Sequence, residues 1–151
     1  MRLEKGSPAP AFTLSNATGQ SVSLKDFLGK VVVLYFYPKD NTPGCTLEAQ
    51  DFTKLKAEFG AKGAVILGVS ADDAKSHCHF IESESLGIEL LSDPNHEVAK
   101  AYGAYGEKNL YGKVSVGLIR STFVINQEGK IAHALYNVRA KDHAKKVLGL
   151  L

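Results

Sequence analysis

The sequence lacks most of the features that mark secreted, membrane-spanning or nucleic-acid-binding proteins. It contains only two cysteines and no Cys-x-x-Cys pair among its 151 residues, which argues against a disulfide framework and against a dithiol reductase site. Its longest apolar run, residues 31–37, is far shorter than the ~20 residues that cross a bilayer. The 18 basic and 16 acidic residues are interspersed and leave a net charge of +2. We therefore expect neither a nucleic-acid partner nor a membrane partner.

The amino-terminal segment shows no targeting signal. Residues 1–12 are polar and are interrupted by Pro8 and Pro10, so they form neither the apolar region of a signal peptide nor a transit helix. We expect a cytoplasmic protein. Because reductants keep thiols reduced in that compartment, the sequence predicts that Cys45 and Cys78 are free thiols or catalytic groups.

The length and composition indicate one ordered domain that spans residues 1–151. Hydrophobic residues make up 44% of the chain and charged residues 23%, which is ordinary for a globular protein. A chain of this length buries a core without support from metals or disulfides.

The hydrophobic pattern predicts a mixed α/β fold. Residues 11–14 and 20–24 flank a turn and indicate a small N-terminal hairpin, which we expect to form a lid rather than part of the core. Residues 31–37 are apolar without alternation, as in a central strand covered on both faces. The other predicted elements are, in order, a helix from about residue 45 to 60, a strand at 64–70, a helix from 72 or 73, a strand at 88–91, a helix at 95–102, paired strands at 121–125 and 130–136, and a helix at 141–150. This order predicts a mixed central sheet flanked by helices.

The segment YPKDNTPGCTLE, residues 37–48, places a cysteine between the central strand and a helix start. Sites in open α/β sheets form at this carboxyl edge. In the first helical turn, Cys45 meets unpaired backbone N–H groups and the positive end of the helix dipole, which favour the nucleophilic thiolate. Thr42 can bond a thiolate or a substrate oxygen, while Pro38 removes a competing amide donor and fixes the loop. The alternative is that Cys45 is a small buried hydrophobic residue.

Two charged residues are candidates for the same site. Arg120 lies between the apolar segments 116–119 and 122–125, where a guanidinium needs an anionic partner. The alternative is an arginine at a strand end that extends to water. Glu48 lies one helical turn after Cys45, where it can position Arg120 or a neighbouring group, or interact only with the helix dipole.

His77, Cys78 and His79 are residue types that bind metals. Adjacent residues on a helix point about 100° apart and do not converge on one ion. The segment from Gly103 to Gly106 lacks the strand and helix that a phosphate-binding loop joins. We therefore expect neither a metal site nor a nucleotide cofactor.

The same segment resembles the signature of the peroxiredoxins, Pro-x-x-x-Thr-x-x-Cys, which Pro38, Thr42 and Cys45 match. The extension TPGCTLE is similar to the Q-type branch, also called the bacterioferritin comigratory proteins. The likeness also covers GSPAPAFTL, VVVLYFYPKD, GVSADDAKSH, LLSDPN and GLIRSTFVI, and so spans nearly the whole chain. The resemblance implies a thioredoxin-like fold, a monomer, reduction of hydrogen peroxide and alkyl hydroperoxides, and no metal or organic cofactor.

The resemblance also implies a role for each candidate residue. Cys45 attacks the peroxide and becomes a sulfenic acid, while Arg120 stabilises the thiolate and the peroxide oxygens. Many Q-type relatives carry a resolving cysteine five residues further on, where this chain has Gln50. A second subgroup carries it in the next helix and makes Cys78 the candidate here, although the subgroup's cysteine lies about one turn later, nearer Ile81. Thioredoxin or a similar dithiol donor then reduces the disulfide.

Two other functions use the same cysteine. One is a peroxidase in which an external thiol, and not Cys78, resolves Cys45. The other is a peroxide-responsive redox sensor or holdase, which would be oxidised once and would then wait for a partner, whereas an enzyme consumes peroxide continuously. A noncatalytic binding module conflicts with the intact set of Pro38, Thr42, Cys45 and Arg120.

Overall fold

A computed structural model describes residues 3–110 and 112–151 of the chain, in which strands and helices alternate between residues 31 and 110. The strands are β1 Thr13–Asn16, β2 Ser21–Ser23, β3 Val31–Phe36, β4 Ala64–Ser70, β5 Glu89–Ser92, β6 Tyr105–Leu110, β7 Lys113–Leu118, β8 Ser121–Ile125 and β9 Ile131–Leu135. The helices are α1 Pro43–Lys54, α2 Lys56–Ala61, α3 Ala74–Glu84, α4 Glu97–Ala101 and α5 His143–Gly149, and a 3₁₀ turn covers Leu24–Phe27.

Seven of these strands form one mixed sheet in the order β2-β1-β5-β4-β3-β8-β9. Strand β4 pairs in parallel with β3 and with β5, whereas β8 pairs antiparallel with β3 and with β9. The predicted mixed sheet is therefore confirmed. The predicted central strand is confirmed as well, because β3 lies between β4 and β8 and its residues 32–36 are at most 1% exposed.

The N-terminal hairpin forms as predicted, but it is not a lid. Strand β1 pairs antiparallel with β2 and also with β5, through Ser15 to Ser92 and Asn16 to Leu91. The hairpin thus extends the sheet sideways and supplies partners to the backbone of β5, which would otherwise be an open edge. The sequence pattern showed the turn but not this long-range pairing.

Helices cover both faces of the sheet and enclose two apolar cores. Phe52 of α1, Phe59 of α2, Phe80 of α3 and Val147 of α5 are completely buried in the core of one face. The core of the other face includes Ala99 of α4, together with Phe12, Leu34, Tyr102 and Phe123. β3 contributes alternate side chains to both cores, which explains why its sequence is apolar at every position.

Strands β6 and β7 form a separate two-stranded sheet that the sequence analysis missed. Val114 and Val116 of β7 are 65% and 67% exposed, whereas Leu118 at the end of the strand is 7% exposed, so this strand reaches the core at Leu118 while its other end faces solvent. The antiparallel pair ends at Leu118, and Arg120 lies between β7 and β8.

Among the described residues, no helix is long and apolar enough to cross a membrane.

Candidate active site

The candidate site lies where the chain leaves β3 and enters α1. Thr42 is the residue before the first helical turn and has an extended backbone, and Pro43 occupies the first turn of the helix. Proline is favoured there because its missing N–H would have no helical partner. Cys45 is the third residue of α1, so it lies among backbone N–H groups that have no partner within the helix. This part of α1 can hold negative charge.

Arg120 joins Cys45 to Glu48. Its Nη2 donates to the Cys45 Sγ at 3.2 Å, and its Nη1 donates to the Glu48 Oε1 at 2.5 Å. Cys45 is 1% exposed and Glu48 is fully buried. The anionic partner that we expected for Arg120 is therefore Glu48, and the structure brings all three predicted residues together.

The charges of this group are strongly coupled. Burial raises the pKa of Glu48 from its ordinary 4.5 to about 7, although Arg120 opposes the increase. Burial alone would lower the pKa of Arg120, but the adjacent Glu48 and Cys45 outweigh it and raise that pKa above its ordinary value. Arg120 consequently stays positively charged beside the sulfur.

Gly44 makes room for the guanidinium, which the sequence analysis did not anticipate. A Cβ atom at Gly44 would lie 3.3 Å from the Arg120 Nη2 and 3.9 Å from the Ala140 Cβ. A contact near 3.3 Å requires one of the two groups to move by a few tenths of an ångström. The absence of a side chain at Gly44 therefore lets Arg120 approach the helix start.

Tyr35 forms the buried wall behind the site. Its ring stacks on Phe52 with centroids 4.8 Å apart. Burial, and then the nearby Glu48 and Cys45, raise the pKa of Tyr35 well above its ordinary value, so it remains a neutral phenol. Within the described chain, neither its hydroxyl nor the Glu48 Oε2 has a hydrogen-bond partner. The wall is thus largely apolar, which strengthens the interaction between Arg120 and its two partners.

Thr42 and Pro38 lie in the loop before α1. The Thr42 hydroxyl donates to the carbonyl of Lys39 at 2.8 Å, and its oxygen keeps lone pairs that can accept a hydrogen bond. Pro38 is exposed at the start of the loop. The loop is also bound through Asp40, whose backbone N–H donates to the Asp72 Oδ2 at 2.8 Å.

The structure also contains a buried polar cluster around Asp40 that was not predicted from the sequence. The Asp40 carboxylate lies 2.7 Å from the His77 Nδ1 and accepts from the Tyr37 hydroxyl at 2.6 Å and the Ser76 hydroxyl at 2.8 Å. Burial works against the charge of Asp40, but the bonds from His77 and Tyr37 hold its pKa below the ordinary value. The sequence analysis weighed His77 and His79 only as metal ligands and expected no metal site there. In the structure, His77 contacts Asp40, and His79 is exposed.

Cys78 is not part of the group around Cys45. Its Sγ donates to the carbonyl of Ala17, in the turn between β1 and β2, at 2.9 Å. Both cysteines are free thiols, and Cys78 is only partly buried. At the position where many relatives carry a resolving cysteine, the Gln50 Nε2 donates to the Glu84 Oε2 at 2.8 Å, which links α1 to α3.

Comparisons with known proteins agree on one family. The profile of the AhpC/TSA family matches residues 5–134. A putative peroxiredoxin bcp from Helicobacter pylori is 56% identical over 147 residues, which are 97% of each chain. Peroxiredoxin Bcp from Bacillus subtilis is 42% identical over 151 residues, which are 100% of this chain and 96% of that one. The bacterioferritin comigratory protein of Xanthomonas campestris, whose structure was studied for alkyl peroxide reduction, is 41% identical with a TM-score of 0.86, over 91% of this chain and 88% of that one.

Proposed function

The chain belongs to the AhpC/TSA family as a thiol-dependent peroxidase of the peroxiredoxin Q branch, and on that premise we propose that Cys45 is the peroxidatic nucleophile. The observation that supports this assignment most strongly is the position of Arg120, which donates to the Cys45 Sγ and to the Glu48 carboxylate. A guanidinium fixed in this way stabilises a thiolate.

The first step breaks the O–O bond of the peroxide. The Cys45 thiolate attacks one oxygen and forms an S–O bond, while the other oxygen leaves with the electron pair of the O–O bond and takes a proton to become water or an alcohol. Negative charge shifts from sulfur to the leaving oxygen during this step. Arg120 and the N–H groups at the start of α1 stabilise that charge throughout.

The loop before α1 positions the peroxide. The Thr42 hydroxyl, oriented by its bond to Lys39, accepts a hydrogen bond from the peroxide, and Pro38 stiffens the loop on the side of β3. Glu48 acts on Arg120 rather than on the substrate, because one of its oxygens already accepts from the guanidinium. It is a positioning residue in this scheme.

Regeneration requires a second thiol. In the proposed cycle Cys78 attacks the sulfenic acid of Cys45, an S–S bond replaces the S–O bond, and water leaves. Thioredoxin or a similar dithiol donor then reduces the disulfide. The substrates are hydrogen peroxide and alkyl hydroperoxides, and we place the enzyme in the cytoplasm as a monomer, where such donors keep it reduced.

One observation favours a second scheme for regeneration. The Cys78 Sγ is bound to the carbonyl of Ala17, whereas Cys45 is bound to Arg120. A disulfide brings the two sulfurs into contact, so both sulfurs would have to leave these partners. If they do not, an external thiol resolves Cys45 and the protein is a one-cysteine peroxidase.

A coupled assay tests the proposed cycle. The protein is supplied with thioredoxin, thioredoxin reductase and NADPH, and NADPH oxidation is followed after addition of hydrogen peroxide or an alkyl hydroperoxide. We expect oxidation of many equivalents of NADPH per protein, and its loss in Cys45→Ser with no change in the circular dichroism spectrum. Consumption of a single equivalent would instead indicate a redox sensor or holdase. Retention of most activity in Cys45→Ser would refute the assignment of Cys45.

A further inference from the structure

We propose that Asp40 and His77 form a latch that holds the first turns of α3 against the loop before Cys45 and limits how fast Cys78 reaches the Cys45 sulfenic acid. The proposal rests on the proposed function, because it concerns the step in which the sulfenic acid is resolved. Three features of the structure support it: the bonds that make up the latch, the burial of these bonds, and the side of α3 on which Cys78 lies.

The latch connects three elements. Asp40 lies in the loop that joins β3 to α1, five residues before Cys45. Its carboxylate accepts from Ser76 at 2.8 Å and contacts the His77 Nδ1 at 2.7 Å, so two residues in the first turn of α3 are bound to this loop. The other ring nitrogen of His77, Nε2, lies 3.0 Å from the carbonyl of Leu91 in β5. His77 and Asp40 are 0% and 4% exposed.

The bonds of the latch are buried. The Asp40 carboxylate accepts from the Tyr37 and Ser76 hydroxyls, which stabilises its ionised form, and the His77 Nδ1 lies 2.7 Å from it. Removal of His77 therefore leaves a buried carboxylate with one partner fewer, and removal of the carboxylate leaves His77 and Ser76 without their common partner in the loop.

Cys78 lies on the side of α3 opposite Ser76, and about 100° around the helix from His77. Residues on a helix are separated by about 100°, so Cys78 is rotated by roughly 160° from Ser76 and by roughly 120° from Glu84. Ser76 contacts the loop before α1, and Glu84 contacts Gln50 of α1, whereas Cys78 contacts Ala17 of the β1–β2 turn. The face of α3 that meets α1 is thus not the face that carries Cys78.

Disulfide formation must therefore open the latch. For the Cys78 sulfur to turn toward Cys45, the first turns of α3 have to unwind or rotate, and this movement separates His77 and Ser76 from Asp40. While the latch is closed, the sulfenic acid of Cys45 persists, and a second peroxide can oxidise it to a sulfinic acid with release of water or an alcohol. The latch consequently sets the ratio of disulfide to sulfinic acid.

Stopped-flow and mass spectrometry on the full chain test the proposal. The reduced wild type, His77→Gln and Asp40→Asn are mixed with hydrogen peroxide, and the rate of internal disulfide formation and the fraction of sulfinic acid are measured. The glutamine amide can keep the bond to Leu91 while losing the one to Asp40. We expect the disulfide to form at least about ten times faster in both variants, with a correspondingly smaller sulfinic fraction. The matched control is His79→Gln, at an exposed position of the same helix, which should behave like the wild type.

The other results of this experiment also bear on the latch. If His77→Gln and Asp40→Asn do not fold, Ser76→Ala removes a single hydrogen bond to Asp40 and should accelerate the disulfide a few-fold. Unchanged or slower disulfide formation in the folded variants overturns the latch. A wild type that forms sulfinic acid but no internal disulfide also overturns the latch and leaves the peroxidase function intact. A wild type whose Cys45 is not oxidised contradicts the proposed function itself.

Discussion

Arg120 donates one nitrogen to Cys45 and another to Glu48, so a single cation serves two acidic groups. The guanidinium suits this task because its nitrogens form a planar fork, whereas an ammonium group is a point charge. In the proposed first step the charge on sulfur passes to the leaving oxygen. A donor that stays fixed during that transfer lowers its barrier.

Replacement of Arg120 by methionine removes this donor and keeps a similar side-chain volume. We expect the second-order rate of Cys45 oxidation by hydrogen peroxide to fall by about 10²–10³. Alkylation of Cys45 at neutral pH should slow as well, because the sulfur loses the hydrogen bond from Arg120. Stopped-flow oxidation and iodoacetamide labelling measure the two effects. Rates within a factor of two of the wild type would remove Arg120 from this role.

The raised pKa of Glu48 predicts how the free energy of unfolding depends on pH. Because its pKa is raised from 4.5 to about 7 in the folded state, the folded protein binds more protons than the unfolded chain between these two values. The resulting stabilisation is complete below about pH 4.5 and is lost as the pH rises through 7. The full change corresponds to at most about 3 kcal/mol.

Comparison with Glu48→Gln isolates this effect. The glutamine does not titrate, so the wild type should lose stability relative to the variant as the pH rises from 4.5 to 7. Below pH 4.5 and above pH 7, the difference in the free energy of unfolding should not change with pH. Urea unfolding at a series of pH values measures the difference in the free energy of unfolding. A difference that stays constant across this range would mean that Glu48 is ionised throughout.

The sequence predicts which residues form the candidate site better than it predicts which residues hold them in place. Cys45, Glu48 and Arg120 follow from a helix start, a one-turn spacing and a charge inside an apolar stretch, and the structure brings them together. Asp40 and His77 are 37 positions apart, and no local pattern links them. Their pairing depends on the packing of α3 beside the β3–α1 loop, which only the folded chain shows.

On the scale of elements, the start of α1 explains how Arg120 reaches the sulfur. The helix places its first-turn N–H groups around Cys45, and Gly44 leaves space for the guanidinium. Alanine at a regular helical position normally stabilises a helix by up to about 1 kcal/mol relative to glycine. At Gly44 that gain competes with a 3.3 Å contact to the Arg120 Nη2.

Gly44→Ala should therefore separate activity from stability. We expect an unchanged or higher melting temperature together with a several-fold slower oxidation of Cys45, because Arg120 has to shift. Gly60→Ala is the matched control, since Gly60 is also helical and a Cβ there meets nothing within 4 Å. It should raise stability similarly without slowing the reaction. Equal rates in the two variants would show that Arg120 tolerates the methyl group.

The predicted bounds of strands and helices are most accurate where the element is buried. The strand predicted at 64–70 has the bounds of β4, and 31–37 differs from β3 by one residue, because both are buried and flanked by turn residues. The helix expected at 95–102 is shorter, Glu97–Ala101. The β6–β7 pair was missed because it forms a sheet of its own and exposes Val114 and Val116, so these two apolar residues do not mark a buried face.

On the scale of the whole molecule, the parallel pairing of β3 and β4 determines where the two cysteines lie. Parallel strands end at the same edge of the sheet, so α1 after β3 and α3 after β4 both begin at this edge. Cys45 and Cys78 therefore lie near two adjacent helix starts. Their side chains nevertheless contact different parts of the fold, Arg120 and the β1–β2 turn.

Cys78→Ser tests whether the thiol near the second helix start resolves the sulfenic acid at the first. If Cys78 resolves Cys45, the variant should form no internal disulfide, and Cys45 should accumulate sulfinic acid faster than in the wild type during turnover, because its sulfenic acid persists. Intact-mass measurement after one equivalent of peroxide distinguishes a loss of two hydrogens from an added oxygen. Normal turnover with thioredoxin and no faster overoxidation would favour the one-cysteine scheme.

The assignment of Cys45 as the nucleophile is tested most directly by locating the first oxidised sulfur. Cys78→Ser is mixed with one equivalent of hydrogen peroxide in the presence of dimedone, which traps sulfenic acids, and the digested protein is mapped by tandem mass spectrometry. We expect a dimedone adduct on Cys45, and no adduct in a parallel Cys45→Ser sample that retains Cys78. Consumption of the peroxide without an adduct on Cys45, or an adduct on Cys78 in the parallel sample, would contradict the assignment of Cys45.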